Sequence, residues 1–297
     1  MLAIAQSGTT YHYLNWIPSE SGPIITHYGK INKEIEDFNK IKQHHYEILD
    51  EIISTIDDEE PICTFSLDAK NLIFSTSYAD AENPNLNNWY KEQIKDESLN
   101  RNVDQFFYPM QSSSSQLLSI FIPKVIRQSF QDNFCTLKAR LNGISTGIFS
   151  AENGARNWFH AHKLGSYLIW KIGNKKVDEI LYIKNNQLES YFSITRTPKK
   201  IKKNWQLGNA ASVDMICMFM EYLLNNKDQP KTTFKKIFIY TCNGKIQDVK
   251  DIQNKDEENI ILLNPFQVLK IVEDKQIKIY ETLPLAETGN AFGKIDV

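Results

Sequence analysis

The residues of this sequence whose types and spacing could do chemistry are its histidines, its cysteines and two helical carboxylates. His160 and His162, two apart, could ligate a metal through their imidazoles. No Cys, Asp or Glu stands at ligand spacing beside them, and the same pair suits a helix C-terminus, where the dipole favours positive charge. His44 and His45 fall inside an apolar helical period and read as helix residues rather than catalysts. Asp214 and Glu221, seven apart, share one helix face; such a carboxylate could assist hydrolysis in an active relative, but a solvated face is the preferred reading here. Cys63, Cys135, Cys217 and Cys242 are scattered, without a Cys-x-x-Cys pair, and three of them sit in apolar runs, where cysteine acts as a small buried hydrophobe. There is no Ser-His-Asp elbow, no P-loop and no GxGxxG. No catalytic residue and no metal ligand set is therefore assigned.

The chain that must position these residues has 297 of them, enough for two medium lobes with separate cores. Aromatics make up 11% and the formal net charge is −2, which excludes disorder and gives no sign of an obligatory nucleic-acid or acidic-membrane partner. No charged segment followed by a long apolar run opens the chain, and no apolar stretch is long enough to span a bilayer. A soluble, cytoplasmic protein is expected, with membrane association only through a partner.

Apolar and polar residues alternate over 2–6, 10–17 and 23–28, which predicts three antiparallel strands. A helical period follows over 33–56, then a strand at 62–67. Further expected elements are a helix at 87–96, a joint at Ser112 to Ser115, a strand at 117–122, and a helix at 124–134 with Val125, Ile126, Ser129 and Phe130 inward. A strand near 137–139 and a helix from Ser150, its N-cap, with Glu152 in the first turn complete the first half. Alternation then returns over 167–171, 179–184 and 187–195, followed by a helix at 208–225, strands at 236–241 and 260–263, and a small helical tail at 283–293. The lysines at 199, 200, 202 and 203, with Arg196, read either as a solvated loop or as a patch for an anionic partner. The aromatics between 89 and 108 read as core or as a peptide groove. A three-strand meander, a helix and a strand thus occur twice, and this duplication constrains the fold more than any single motif.

Gln6-Ser7-Gly8-Thr9-Thr10 sits in the first hairpin. It resembles the phosphate-binding turn of the actin, Hsp70 and sugar-kinase superfamily, Asp-x-Gly-Thr-Thr after a short apolar strand, with Gln6 in place of the Asp. A plain hairpin turn explains the same residues. In the second copy Lys171 stands where that family has its second Asp, ahead of Gly173; the strand 237–241 with Asn243 and Gly244 resembles the element near the adenine, with one glycine of the usual pair. The resemblance implies a nucleotide site formed by Gln6, Ser7, Gly8, Thr9, Thr10, Lys171, Gly173, Asn243 and Gly244. A neutral amide and an ammonium supply no carboxylates for Mg²⁺.

Within the superfamily the chain is similar to the PilM and GspL-cytoplasmic-domain branch, through the insertion over 83–149, the stretch Leu141 to Arg156 and the Ala- and Gly-bearing tail Leu285 to Gly293. That resemblance implies an α/β protein of two RNase H-like lobes of the actin type. The first lobe would comprise 1–82 and 141–165, an inserted subdomain 83–140, and the second lobe 166–297. It implies a scaffold at the inner face of the cytoplasmic membrane that docks the short cytoplasmic tail of a single-span, PilN-like membrane protein in a type IV pilus or type II secretion platform; PilM relatives bind ATP, and with Gln6 and Lys171 in place of the carboxylates a non-catalytic protein is expected here, with no resident cofactor or with ATP lacking a metal site. The alternative is a divergent ATP-binding ATPase or small-molecule kinase.

Overall fold

The computed structural model describes residues 1–34, 41–56, 58–78, 103–109, 116–197, 200–225, 234–272 and 277–292. The expected helix at 87–96 and the joint at Ser112 to Ser115 lie outside these residues. Along the chain the strands are β1 (Leu2–Ser7), β2 (Thr10–Ile17), β3 (Ile24–Asn32), β4 (Ile62–Leu67), β5 (Ile73–Tyr78), β6 (Val103–Pro109), β7 (Gln116–Pro123) and β8 (Arg140–Thr146). The second half adds β9 (Tyr167–Lys171), β10 (Val177–Lys184), β11 (Gln187–Arg196), β12 (Ile201–Gly208), β13 (Ile237–Tyr240), β14 (Ile260–Leu262) and β15 (Lys270–Ile271). The α-helices are α1 (Ile41–Ile53), α2 (Lys124–Thr136), α3 (Gly147–Trp158), α4 (Ala210–Asn225) and α5 (Ile246–Gln253), and 3-10 turns cover Ile279–Glu281 and Leu283–Phe292.

The chain divides into two compact units, Met1–Asn71 with Val125–Ala161 and Leu262–Val297, and Leu72–Lys124 with His162–Ile261. Each is built on a six-stranded mixed sheet. The first has the order β15-β3-β2-β1-β4-β8 and the second β12-β11-β10-β9-β13-β14. Setting aside the outermost β15 and β12, the two orders are the same: an antiparallel meander whose first strand pairs in parallel with the strand after the helix. The central strands β1, β9 and β13 are buried along their whole length, so they read as continuous apolar runs. The expected duplication is present.

In the first unit α1 buries Ile48, Leu49 and Ile52 together with His45, whose ring stacks on Phe130 of α2 at 4.2 Å. On α2 the buried face is Ile126, Ser129, Phe130, Asn133 and Phe134. Val125 was expected inward and is 57% exposed, because it lies one residue, about 100° of helix, from Ile126. The strand expected near 137–139 is β8, whose parallel register with β4 runs from Arg140 to Thr146. The following helix starts at Gly147, not Ser150: Thr146 is its N-cap, Ser150 is fully buried inside it, and Glu152 lies in the second turn beside Arg156. The Glu287 carboxylate stands against Gly147 at that helix start, where the dipole favours an acid.

The compact units divide the chain differently from the expected boundaries. The sheet β5-β7-β6 groups with the second unit, where Phe74 meets Tyr191 edge-on at 5.3 Å. The segment after residue 261 returns to the first unit: β15 pairs with β3, and Phe266, Leu269, Ile271, Leu285 and Phe292 pack with Leu14 and Ile25. The lysine-rich stretch after 200 is no loop but the edge strand β12, which tolerates exposed lysines because one side pairs only with β11. Helix α5 was not expected from the sequence.

Candidate functional site

The first hairpin turns at Ser7-Gly8-Thr9-Thr10, with Ser7 opposite Thr10 and Gly8 at φ +63°, the left-handed conformation that glycine adopts without penalty. Three of its polar groups are engaged inside the unit. The Gly8 N–H donates to Asp68 Oδ2 at 2.6 Å. The Thr10 hydroxyl donates to Asn32 Oδ1 at 2.7 Å, and the Thr9 carbonyl accepts from Lys33 N–H at 2.9 Å. Ser7 is buried. Gln6 is buried too, and its Nε2 donates to the Tyr11 hydroxyl at 3.0 Å, which lies 3.4 Å from His44 Nε2. Burial pushes the Tyr11 phenol well above its ordinary pKa, so it stays a neutral donor and acceptor.

In the second unit the end of β9 meets the end of β13. Lys171 is buried, with Nζ 3.9 Å from Glu179 Oε1, and Glu179 Oε2 accepts from the Tyr191 hydroxyl at 2.5 Å. Gly173 is required by close approach: a Cβ there would stand 1.9 Å from the Val177 carbonyl oxygen. The turn is sealed by Asp178, fully buried, which accepts from Trp170 Nε1 at 2.8 Å and from the Gly173 N–H at 3.1 Å. Arg196 Nε lies 2.7 Å from the same carboxylate, and the Arg196 guanidinium also reaches Asp248 at 3.0 Å. Burial pushes the Asp178 pKa up, against the pull of Arg196, Trp170 and Gly173. The Thr241 hydroxyl donates to the Ile172 carbonyl at 2.6 Å and accepts from Gly244 N–H at 2.7 Å, while Asn243 Oδ1 accepts from Asn174 N–H at 3.2 Å.

Of the nine expected site residues, Gln6, Ser7, Gly8, Thr9 and Thr10 are thus gathered in the first unit, and Lys171, Gly173, Asn243 and Gly244 in the second. The sequence reading missed Asp68 and Asp178 and gave Tyr11, Arg196 and Thr241 no part in holding those turns. A carboxylate directly after the apolar strand 62–67 was the available signal for Asp68. The other candidates have structural duties. Asp214 pairs with Lys203 at 2.6 Å, and Glu221 accepts from the Ile201 N–H at 2.9 Å, so these two helical carboxylates hold β12 on α4. His160 takes φ +53° just after α3, and His162 lies in the next 3-10 turn, so the pair does not continue one helix. Burial pushes the thiols of Cys63 and Cys217 up to about 12 and about 11, leaving both protonated and unreactive near neutral pH. Among the described residues no group of three or more His, Cys, Asp or Glu is gathered to hold a metal. The Mg²⁺ that accompanies a nucleotide in the superfamily does not fit an amide that donates to Tyr11 and an ammonium beside Glu179.

No family model matches this sequence, and no curated protein matches it. Solved structures do. The chain described as "PilM-PilN type IV pilus biogenesis complex" superposes with a TM-score of 0.60 at 8% identity, over 98% of this chain and 97% of that one. The cytoplasmic domain of EpsL, an inner-membrane component of the type II secretion system of Vibrio cholerae, gives 0.46 at 11% identity, over 99% and 95%. A Bacteroides thetaiotaomicron protein with an actin-like ATPase fold gives 0.41 at 11% identity, over 95% and 94%. The first likeness and the repeated strand order together define the architecture: the chain has the two-unit, mixed α/β actin-like fold seen in the PilM–PilN structure.

Proposed function

We propose that this protein is a non-catalytic actin-like scaffold that docks the short cytoplasmic tail of a single-span membrane protein in a type IV pilus or type II secretion-like platform. The observation that carries the reading is the Gly8 amide, which is already hydrogen-bonded to Asp68. A phosphate-binding turn needs its amides open and no anion beside them; here Asp68 accepts from the Gly8 amide and puts a negative charge beside the turn. The fold likeness to a chain solved in the PilM–PilN complex supports the class of partner. Among the described residues no helix is long and apolar enough to cross a membrane, which agrees with attachment through such a partner. Two measurements test the reading on the purified chain. Mg·ATP should give no turnover above background and no thermal stabilisation, and a tail peptide from a neighbouring single-span protein should bind. Turnover that disappears on Gly8→Val would overturn the non-catalytic claim.

One observation favours a second reading, a divergent ATP-binding ATPase or small-molecule kinase. Asp68 is itself a carboxylate at the end of a central strand and next to the turn. In that reading Asp68→Asn abolishes Mg·ATP binding. In the scaffold reading it replaces a charged acceptor by a neutral one, lowers stability by about 1 kcal/mol, and leaves peptide binding unchanged.

A further inference from the structure

The second sheet ends in β12, whose outer side pairs with no strand among the described residues. Lys202, Lys203, Asn204 and Trp205 on this strand are all exposed. The ladder fixes where its backbone groups point. The Thr197 N–H donates to the Lys200 carbonyl across the turn, and residue pairs that exchange such bonds alternate along an antiparallel ladder with pairs that do not. Ile201 and Lys203 therefore turn their N–H and C=O groups away from β11. Ile201 bears this out, since its N–H meets the Glu221 carboxylate at 2.9 Å. The Lys203 N–H is the next outward donor along the edge.

The side chains decide what such an edge accepts. The register with β11 skips Asn204, whose side chain bridges Thr195 and Ser193 at 3.0 and 3.2 Å. This bulge sets Trp205 edge-on to Tyr191 at 4.8 Å, with 41% of the residue still exposed. It is the one exposed tryptophan among the described residues, and interfaces are anchored by such aromatics. Lys202, opposite Thr195, lies on the same face. The two carboxylates beside the edge are engaged: Asp214 holds Lys203, and Glu221 holds the Ile201 N–H. Among the described residues no carboxylate pairs with Lys200 or Lys202, so these two set the sign of the edge. Two copies placed edge to edge would oppose these lysines to one another, and that repulsion disfavours self-pairing. An acidic strand turns the same repulsion into attraction.

We propose that β12 accepts an extended acidic segment of a partner protein as an added outermost strand. The backbone of that segment bonds to the Lys203 N–H and C=O, one acidic side chain lies beside Lys202, and an apolar one covers the open part of Trp205. Main-chain bonds supply the attachment, and the lysines with Trp205 supply the choice of partner. β12 belongs to the second unit, and the proposal stands whether or not the chain docks a membrane protein's tail.

A capped Thr-Glu-Thr-Val-Thr-Glu-Thr peptide is the probe. It carries Glu, Val and Glu on one face, and its palindromic order serves either strand direction. Titrated into the isotope-labelled full chain and read by NMR, it should bind saturably, with the largest shifts at Ile201 to Gln206 and slowed exchange of the Lys203 amide. The same peptide with Lys for Glu should bind about tenfold more weakly or worse. The Lys200→Glu/Lys202→Glu double variant changes exposed residues and should reverse that preference. Lys203→Ala removes the ammonium and keeps the outward N–H, so binding persists. Lys203→Pro removes the N–H as well, at an edge position of the kind that tolerates proline, so binding is lost. Should the proline variant fail to fold, the charge reversal decides alone. Absence of saturable binding, shifts centred elsewhere, equal affinity for the two peptides, or equal binding by folded alanine and proline variants would each overturn the proposal.

Discussion

Gln6 and His45 show what single buried polar residues decide in this molecule. Gln6 lies on a central strand, where the superfamily turn carries an Asp, and its amide donates to Tyr11. Replacing it by Asp removes that donor and places a carboxylate among buried groups. Gln6→Asp should therefore lower stability by about 1–3 kcal/mol in urea unfolding and create no Mg·ATP hydrolysis; hydrolysis in that variant would show that the turn had been one substitution from activity. His45 makes a pH prediction. Burial and the neighbouring His44 hold its pKa down to about 3, while its Nδ1 meets the Ser129 hydroxyl at 3.0 Å. The unfolded chain binds that proton near pH 6.5 and the native chain does not, so unfolding free energy falls as pH drops from about 6.5 toward 3. At about pH 5 its share of the deficit is about 2 kcal/mol relative to neutral pH, and His45→Gln should make that part of the urea-midpoint profile shallower, buried His12 supplying a further share.

At the scale of elements, close approach determines where side chains are forbidden. Gly289 of the 3-10 segment lies against α3 so tightly that a Cβ would stand 2.4 Å from both the Gly154 nitrogen and the Ser150 carbonyl oxygen. Gly289→Ala must push the segment off the helix and should cost about 1–3 kcal/mol, read as a lowered Tm with an unchanged unfolding slope in urea. That contact also explains why α3 was misread. Ser150 and Glu152 look like a cap and a first-turn acid, but the helix start is set by the β4–β8 register and by Glu287, which is 140 residues away in sequence from Gly147. The meanders were legible because their strands are fully buried or alternate, and α4 because Val213, Ile216 and Met220 repeat at helical spacing. β12 was not, since an edge strand carries lysines that erase alternation. The same limit applies to the site. The Gly8 turn could be found in five consecutive letters, whereas its partner Asp68 is 60 residues away, and which group fills an amide is a tertiary fact.

At the scale of the whole chain, the first unit is discontinuous: its final segment comes after the entire second unit in sequence. That segment supplies much of one core face. Leu283, Leu285, Ala286 and Ala291 are buried, and Phe292 stacks on Trp16 at 4.8 Å and meets Trp158 edge-on at 5.3 Å. Truncating one such leucine to Ala costs about 2–5 kcal/mol, against a total stability of about 5–15 kcal/mol for a typical domain. A chain ending at Thr282 loses all of these contacts together, so its first unit should not remain folded. Among the described residues the second sheet takes no strand from the deleted segment. Hydrogen exchange on the truncated chain should then show lost amide protection in β1–β4 and α3, with protection retained in β9–β11 and β13. Uniform protection throughout would show that the returning segment covers the first sheet without sustaining it, and uniform loss would show that the two units unfold as one.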